Sequence, residues 1–141
     1  MNFEDDCIFC RITSRRSPAL IVYESTHFIC FFPIKPDVYG HILIVSRNHY
    51  PDLEHSPPDI GSDLFATVRT LFDRCRKRIQ ATGFNLLAAN GTSAGQSVDH
   101  LHFHFLPRLD NDGLDAWPVF PSISPNLTEL FELLSGQDGD A

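Results

Sequence analysis

Short apolar runs broken by proline, glycine and polar turns fill the first third of the chain, and one long amphipathic stretch follows. Residues 20–23 and 28–32 are rich in β-branched and aromatic side chains and flank Glu24-Ser25-Thr26-His27, a pattern that predicts strand, turn, strand. Pro33 and Pro36 interrupt pairing, and Gly40 closes that loop before a continuous apolar run at 41–45 suited to a buried central strand. From Asp59 to Ala81, Leu64, Val68, Leu71, Phe72, Cys75 and Ile79 recur at three- and four-residue spacings. Arg69, Arg74, Arg76, Lys77 and Arg78 occupy the remaining positions, so this helix has a buried stripe and a solvated basic face. Gly83 is expected to stop it, residues 84–89 to form a strand, and 90–95 to turn. Loop-like composition runs from 110 to 125, a short closing helix is expected over 126–134, and 136–141 reads as a flexible tail. Residues 1–135 form a single domain on this reading.

The most informative pattern is an alternation. In Asp99-His100-Leu101-His102-Phe103-His104-Phe105-Leu106, apolar and imidazole side chains change places at every step. An extended strand sends successive side chains to opposite faces, so the three histidines are expected on one face about 7 Å apart while Leu101, Phe103 and Phe105 enter the core. An affinity tag would be terminal and would not alternate with large apolar residues. Histidine titrates near neutrality and serves as nucleophile, general acid or metal ligand, so the row is read as functional.

Composition narrows the partners. A chain of 141 residues that is 43% apolar supports one domain with a real core. A formal charge of −7 opposes binding of a nucleic-acid polymer, which needs many Lys and Arg, but leaves room for one nucleotide held by local donors. No apolar run reaches the about 18 residues that cross a bilayer, and Glu4, Asp5 and Asp6 do not resemble a signal peptide, so a cytoplasmic protein is expected. Cys30 and Cys75 read as small buried hydrophobes. Cys7 and Cys10 are spaced to grip one metal ion in a tight turn, or to act as a redox pair, although the βαβ context of a redox pair is missing.

His100 through Leu106 reads His-φ-His-φ-His-φ-φ, with φ apolar, and Gly95-Gln96-Ser97 leads into it. The chain resembles the histidine-triad (HIT) family in this signature, and the resemblance runs from Cys7 to about Trp117. It implies an α+β HIT-like fold: an antiparallel sheet of about five strands, one long helix and a short C-terminal helix, assembled as a homodimer. It implies one structural zinc per chain on Cys7, Cys10, His49 and His100, a closed set with no position for a reactive water. It makes His102 the nucleophile, with His104, Ser97 and Gln96 assisting at the phosphoryl group; His41, by its place before a buried strand, reads as structural. By position, Ile8, Phe9, Phe31 and Ile34 wall the pocket for a base, a purine by preference, and Asn90 reaches sugar or phosphate.

The implied reaction cleaves a nucleoside phosphoramidate, an adenylated small molecule or a dinucleoside polyphosphate at the α-phosphorus through a nucleotidyl-histidine. Two departures stand out. Pro33 occupies a position where the family usually has an Asp that receives the ribose hydroxyls, and nearby Asp37 has no positional match to replace it. Asp99 stands where an apolar or aromatic residue is common, either orienting a histidine or simply exposed. Trp117 is read either as shaping specificity at a dimer edge or as core. The alternative function, kept open by Pro33, is a zinc-stabilised nucleotide-binding or interaction module with little turnover.

Overall fold

A computed structural model describes residues 4–136. The five strands, β1 (Ile21–Glu24), β2 (Phe28–Phe31), β3 (Ile42–Ser46), β4 (Gly83–Leu87) and β5 (His102–Arg108), form one sheet in the order β1-β2-β3-β5-β4. Every neighbouring pair is antiparallel. The expected antiparallel α+β architecture is thus present, with three α-helices among the described residues: α1 (Ile8–Thr13), α2 (Gly61–Ile79) and α3 (Leu127–Ser135).

Both faces of the central strands are covered, which is why β2 and β3 read as continuous apolar runs rather than alternating ones. On one face Phe28, Cys30, Ile42, Ile44, Leu101, Phe103 and Phe105 pack with Leu64, Val68, Leu71 and Cys75 of α2. On the other, Ile29, Phe31, Leu43 and Val45 pack with Phe9 and Ile12 of α1. Asp63 of α2 fixes the β1–β2 turn by accepting hydrogen bonds from Ser25 Oγ at 2.7 Å and His27 N at 2.8 Å.

Four local expectations change. The turn expected at Cys7–Cys10 is instead the start of α1, with Cys7 as its N-cap and its Sγ accepting from Cys10 N. The long helix ends at Ile79, where Gln80 takes the left-handed conformation that stops it, so Gly83 opens β4 rather than capping α2. Trp117 is 71% exposed and is not core. The closing helix forms one residue later than expected, capped by Asn126, whose Oδ1 accepts from Glu129 N at 3.1 Å. Of the tail expected from Gly136 onward, residues 137–141 lie outside the described residues. Among the described residues no helix is long and apolar enough to cross a membrane.

Candidate active site and metal centre

The sheet face opposite α2 carries the histidines. His102 and His104 of β5 are half-buried, paired with Val45 and Leu43 of β3, while Phe103 and Phe105 point to the α2 core. His100 departs from the sequence expectation, because β5 begins only at His102. Residues 98–100 bend: His100 N donates to Val98 O, and Leu101 N donates to Tyr50 O at 2.7 Å, which takes His100 off the ladder. Its ring is fully buried beneath the row instead of continuing it.

That burial places His100 in a four-residue cluster. Its Nδ1 lies 3.2 Å from Cys7 Sγ and 3.4 Å from Cys10 Sγ, and His49 Nδ1 lies 3.3 Å from Cys10 Sγ. All four ligand atoms fall within 4.8 Å of one another. A tetrahedral zinc with Zn–S of about 2.3 Å and Zn–N of about 2.0 Å separates its ligands by about 3.3–3.8 Å, so these residues fit the ion. Proton bookkeeping agrees. His100 Nε2 donates to Ser46 O at 2.7 Å, which leaves Nδ1 unprotonated towards the thiols. Burial pushes the His100 pKa down to about 4, so the ring is neutral as a ligand must be. Burial also pushes the Cys10 thiol up to about 11, an arrangement of buried sulfurs that a divalent cation would relieve by stabilising thiolate. Cys30 and Cys75 are buried in the α2-side core as expected, with the Cys30 thiol raised by burial to about 12.

The other two triad rings are held by a separate set of bonds. His102 Nδ1 donates to the carbonyl of His100 at 2.7 Å, which leaves Nε2 carrying the lone pair. Phe9 of α1 packs edge-on against this ring with centroids 5.0 Å apart, and His104 does so at 5.3 Å. His104 Nδ1 lies 3.0 Å from His41 Nε2, and His41 Nδ1 receives the N–H of Asp37 at 3.0 Å. A backbone N–H can only donate, so His41 Nδ1 accepts, His41 Nε2 carries the proton and donates to His104 Nδ1, and His104 presents Nε2–H outward. Burial lowers the pKa of both rings, which keeps this neutral arrangement near pH 7. His41 therefore belongs to the site and is more than a core residue. Its direct succession to Gly40, where the left-handed turn sets it at the end of β3, was the available signal.

Ile8, Phe9, Phe31 and Ile34, expected to wall one pocket, do line one cavity of about 580 Å³ with Ile12, Pro33 and Leu43 among their neighbours. Ile34 stands at its outer lip, 99% exposed. Among the described residues that line it, Ser17 alone has a polar side chain, so none of them puts a carboxylate in place of Pro33 there. Gln96 spends its amide on main-chain groups: Oε1 accepts from Gly91 N at 2.8 Å, and Nε2 donates to Val98 O and, across to another loop, to Pro51 O. Asn90 Oδ1 accepts from Leu53 N at 2.8 Å, while Ser97 and Asp99 are exposed.

Residues 14–111 match the HIT domain family. The chain belongs to that family. It is 37% identical over 113 residues to the adenylylsulfatase HINT3 of Arabidopsis thaliana, a match covering 80% of this chain and 57% of that protein. The chain thus spans little more than half the length of that relative. It is 33% identical over 134 residues to the adenosine 5'-monophosphoramidase HNT1 of Candida albicans, covering 91% of this chain and 88% of that one. Its fold is similar to that of a zinc-bound histidine triad family protein from Mycobacterium smegmatis, with a TM-score of 0.74 and 32% identity over 79% of this chain and 81% of that chain. As a HIT nucleotide hydrolase family member, the chain is an enzyme.

Proposed function

We propose that the chain hydrolyses a nucleoside phosphoramidate, an adenylated small molecule or a dinucleoside polyphosphate at the α-phosphorus, with His102 as nucleophile. The observation that carries this reading is the His102 Nδ1–His100 O bond, which leaves a bare Nε2 beside the outward Nε2–H of His104. The Nε2 lone pair attacks phosphorus, the bond to the leaving group breaks, and the departing group takes its proton from solvent. His104 Nε2–H donates to a phosphoryl oxygen as charge builds there. Water then displaces the imidazole and releases a nucleoside monophosphate. On this reading Ser97, Gln96 and Asn90 serve the phosphoryl group or sugar, as the resemblance implies, and the cavity that Ile8, Phe9, Phe31 and Ile34 line takes a flat base, with a purine suiting its volume.

Cys7, Cys10, His49 and His100 would hold one zinc ion. Bound there, it supplies a cross-link between α1 and the approach to β5 rather than an open coordination position. The protein acts as a homodimer on this reading, supported by α3, whose leucines and phenylalanine are all exposed on a single chain. Four free cysteines suit a cytoplasmic setting.

The test is turnover of adenosine phosphoramidate and of a dinucleoside polyphosphate by wild type and His102→Asn. Loss of kcat on the order of 10³-fold or more, and of any trapped nucleotidyl adduct, is expected in the variant. Undiminished turnover would remove His102 from the mechanism. Nucleotide binding without turnover across the panel would favour the binding-module reading that Pro33 supports.

A further inference from the structure

A cavity of about 390 Å³ lies on the α2 side of the sheet, away from the imidazole row. The last turns of α2 meet β1 and the β2–β3 connection there, and Val22, Phe32, Ile42, Leu71 and Ile79 give it apolar walls. Its size falls within the about 300–1,000 Å³ of small-molecule sites. Among the described residues it shares only Phe32 with the cavity of about 580 Å³ on the other face. Gly40 and Ile42 both line it, while His41 between them turns its ring to His104.

The charge at this cavity is of one sign. Among the described residues that line it, Arg74 and Arg78 alone are charged. Arg74 is held in place: Nη1 donates to Val22 O at 2.8 Å, and the guanidinium lies over the Tyr23 ring, 5.0 Å from its centroid. That leaves further N–H groups of the fork for a ligand. Neither arginine has an ion-pair partner among the described residues, because Asp73, the carboxylate beside them on α2, pairs with Arg76 and Lys77 instead. In a chain of formal charge −7, two cations left unpaired over an apolar hollow make a local site for an anion that the global charge would otherwise repel. Phe32 and Tyr39, both exposed, continue the apolar surface outward.

We propose that this cavity binds an amphiphilic monocarboxylate, of which a medium-chain fatty acid is the plainest case. The walls take the alkyl chain, and Arg74 and Arg78 take the carboxylate through charge-assisted hydrogen bonds. An alkylammonium of the same length would meet two like charges at the same place. Binding there is independent of the His102 chemistry and of the base cavity.

The experiment is isothermal titration calorimetry of the full chain with hexanoate, octanoate, decanoate and decylammonium. Affinity is expected to rise about fourfold for each added methylene, as burial of apolar surface requires. Decanoate is expected to bind about tenfold more tightly than decylammonium, the size of two partly exposed ion pairs. An Arg74→Glu, Arg78→Glu double variant should reverse that order, and adenosine 5'-monophosphate should not displace decanoate. Where the double variant, which also loses the Arg74–Val22 bond, fails to fold, Arg78→Glu alone changes an exposed side chain and should weaken decanoate by a smaller factor in the same direction. No binding of decanoate at millimolar concentration, or an affinity unmoved by either variant, overturns the site. Displacement of decanoate by adenosine 5'-monophosphate overturns it as well, by putting the alkyl chain in the base cavity.

Discussion

Which nitrogen of each ring carries its proton decides what the imidazoles can do, and main-chain groups make that decision here. A carbonyl at His100 assigns the His102 tautomer, and the N–H of Asp37 assigns those of His41 and, through it, His104. His41→Ala is expected to lower kcat by about 10–100-fold, the usual scale for removing a group that orients another. His41→Asn, which can accept from Asp37 N and donate to His104, should recover part of that loss in steady-state kinetics. A packing role alone would give the two variants similar rates. Burial depresses the pKa of both His41 and His104 below the ordinary value near 6.5. Below that value the unfolded chain binds more protons than the folded one, so stability is lost as pH falls. Urea midpoints measured from pH 7.5 to 5.5 should fall, with a shallower slope for His41→Asn.

Two short elements do more positioning than their lengths suggest. Helix α1 presents both thiols on one turn, with Cys7 capping the end and Cys10 fully buried. Elemental analysis of protein purified without metal-affinity resin is expected to find about one zinc per chain, and Cys10→Ser should lose it. The melting temperature of the variant should drop by about 10 °C or more, since each kcal/mol moves a domain of this size by about 3–5 °C. Zinc retained at full occupancy in Cys10→Ser would remove the proposed ligand set. The turn into β3 depends on Gly40, which has φ +85, and an added Cβ would meet Pro107 Cγ at 2.8 Å and Ile79 Cδ1 at 3.2 Å. Gly40→Ala is expected to cost about 1–3 kcal/mol in denaturant unfolding, because the left-handed backbone and the close approach both oppose a side chain. It should also lower turnover, since the next residue is His41.

Across the whole molecule the sheet divides labour between its faces, with α2 on one and α1, the cluster of Cys7, Cys10, His49 and His100, and the imidazoles on the other. What a single chain leaves uncovered is the C-terminal segment: Leu127, Leu130, Phe131, Leu133 and Leu134 of α3 are all exposed, as are Trp117, Val119 and Phe120 before it. Sedimentation equilibrium is expected to give twice the chain mass of 15.9 kDa. A Leu130→Glu, Phe131→Glu double variant should shift the chain towards monomer, and a wild-type monomer at micromolar concentration would remove the homodimer from the reading.

Much of this arrangement was legible along the chain, because period-two and period-3.6 patterns report which side of an element is buried, and burial is local in its demands. The strands, the amphipathic stripe of α2, the inward Phe103 and Phe105 and the outward His102 and His104 all follow from such patterns. The pattern failed at His100, where Leu101 N bonds to Tyr50 O and the His100 ring to Ser46 O, each more than fifty residues away in sequence, and draw the ring off the strand. It also passed over α1, too short for periodicity to register, and over the partnership of His41 with His104. Residue types and spacing determined that this chain carries an imidazole row and a thiol pair. Resemblance to the family already named His49 and His100 as the imidazoles that join the thiols; only the tertiary structure decided which nitrogen each ring presents and that His41 holds His104, since these depend on contacts between residues far apart in the chain.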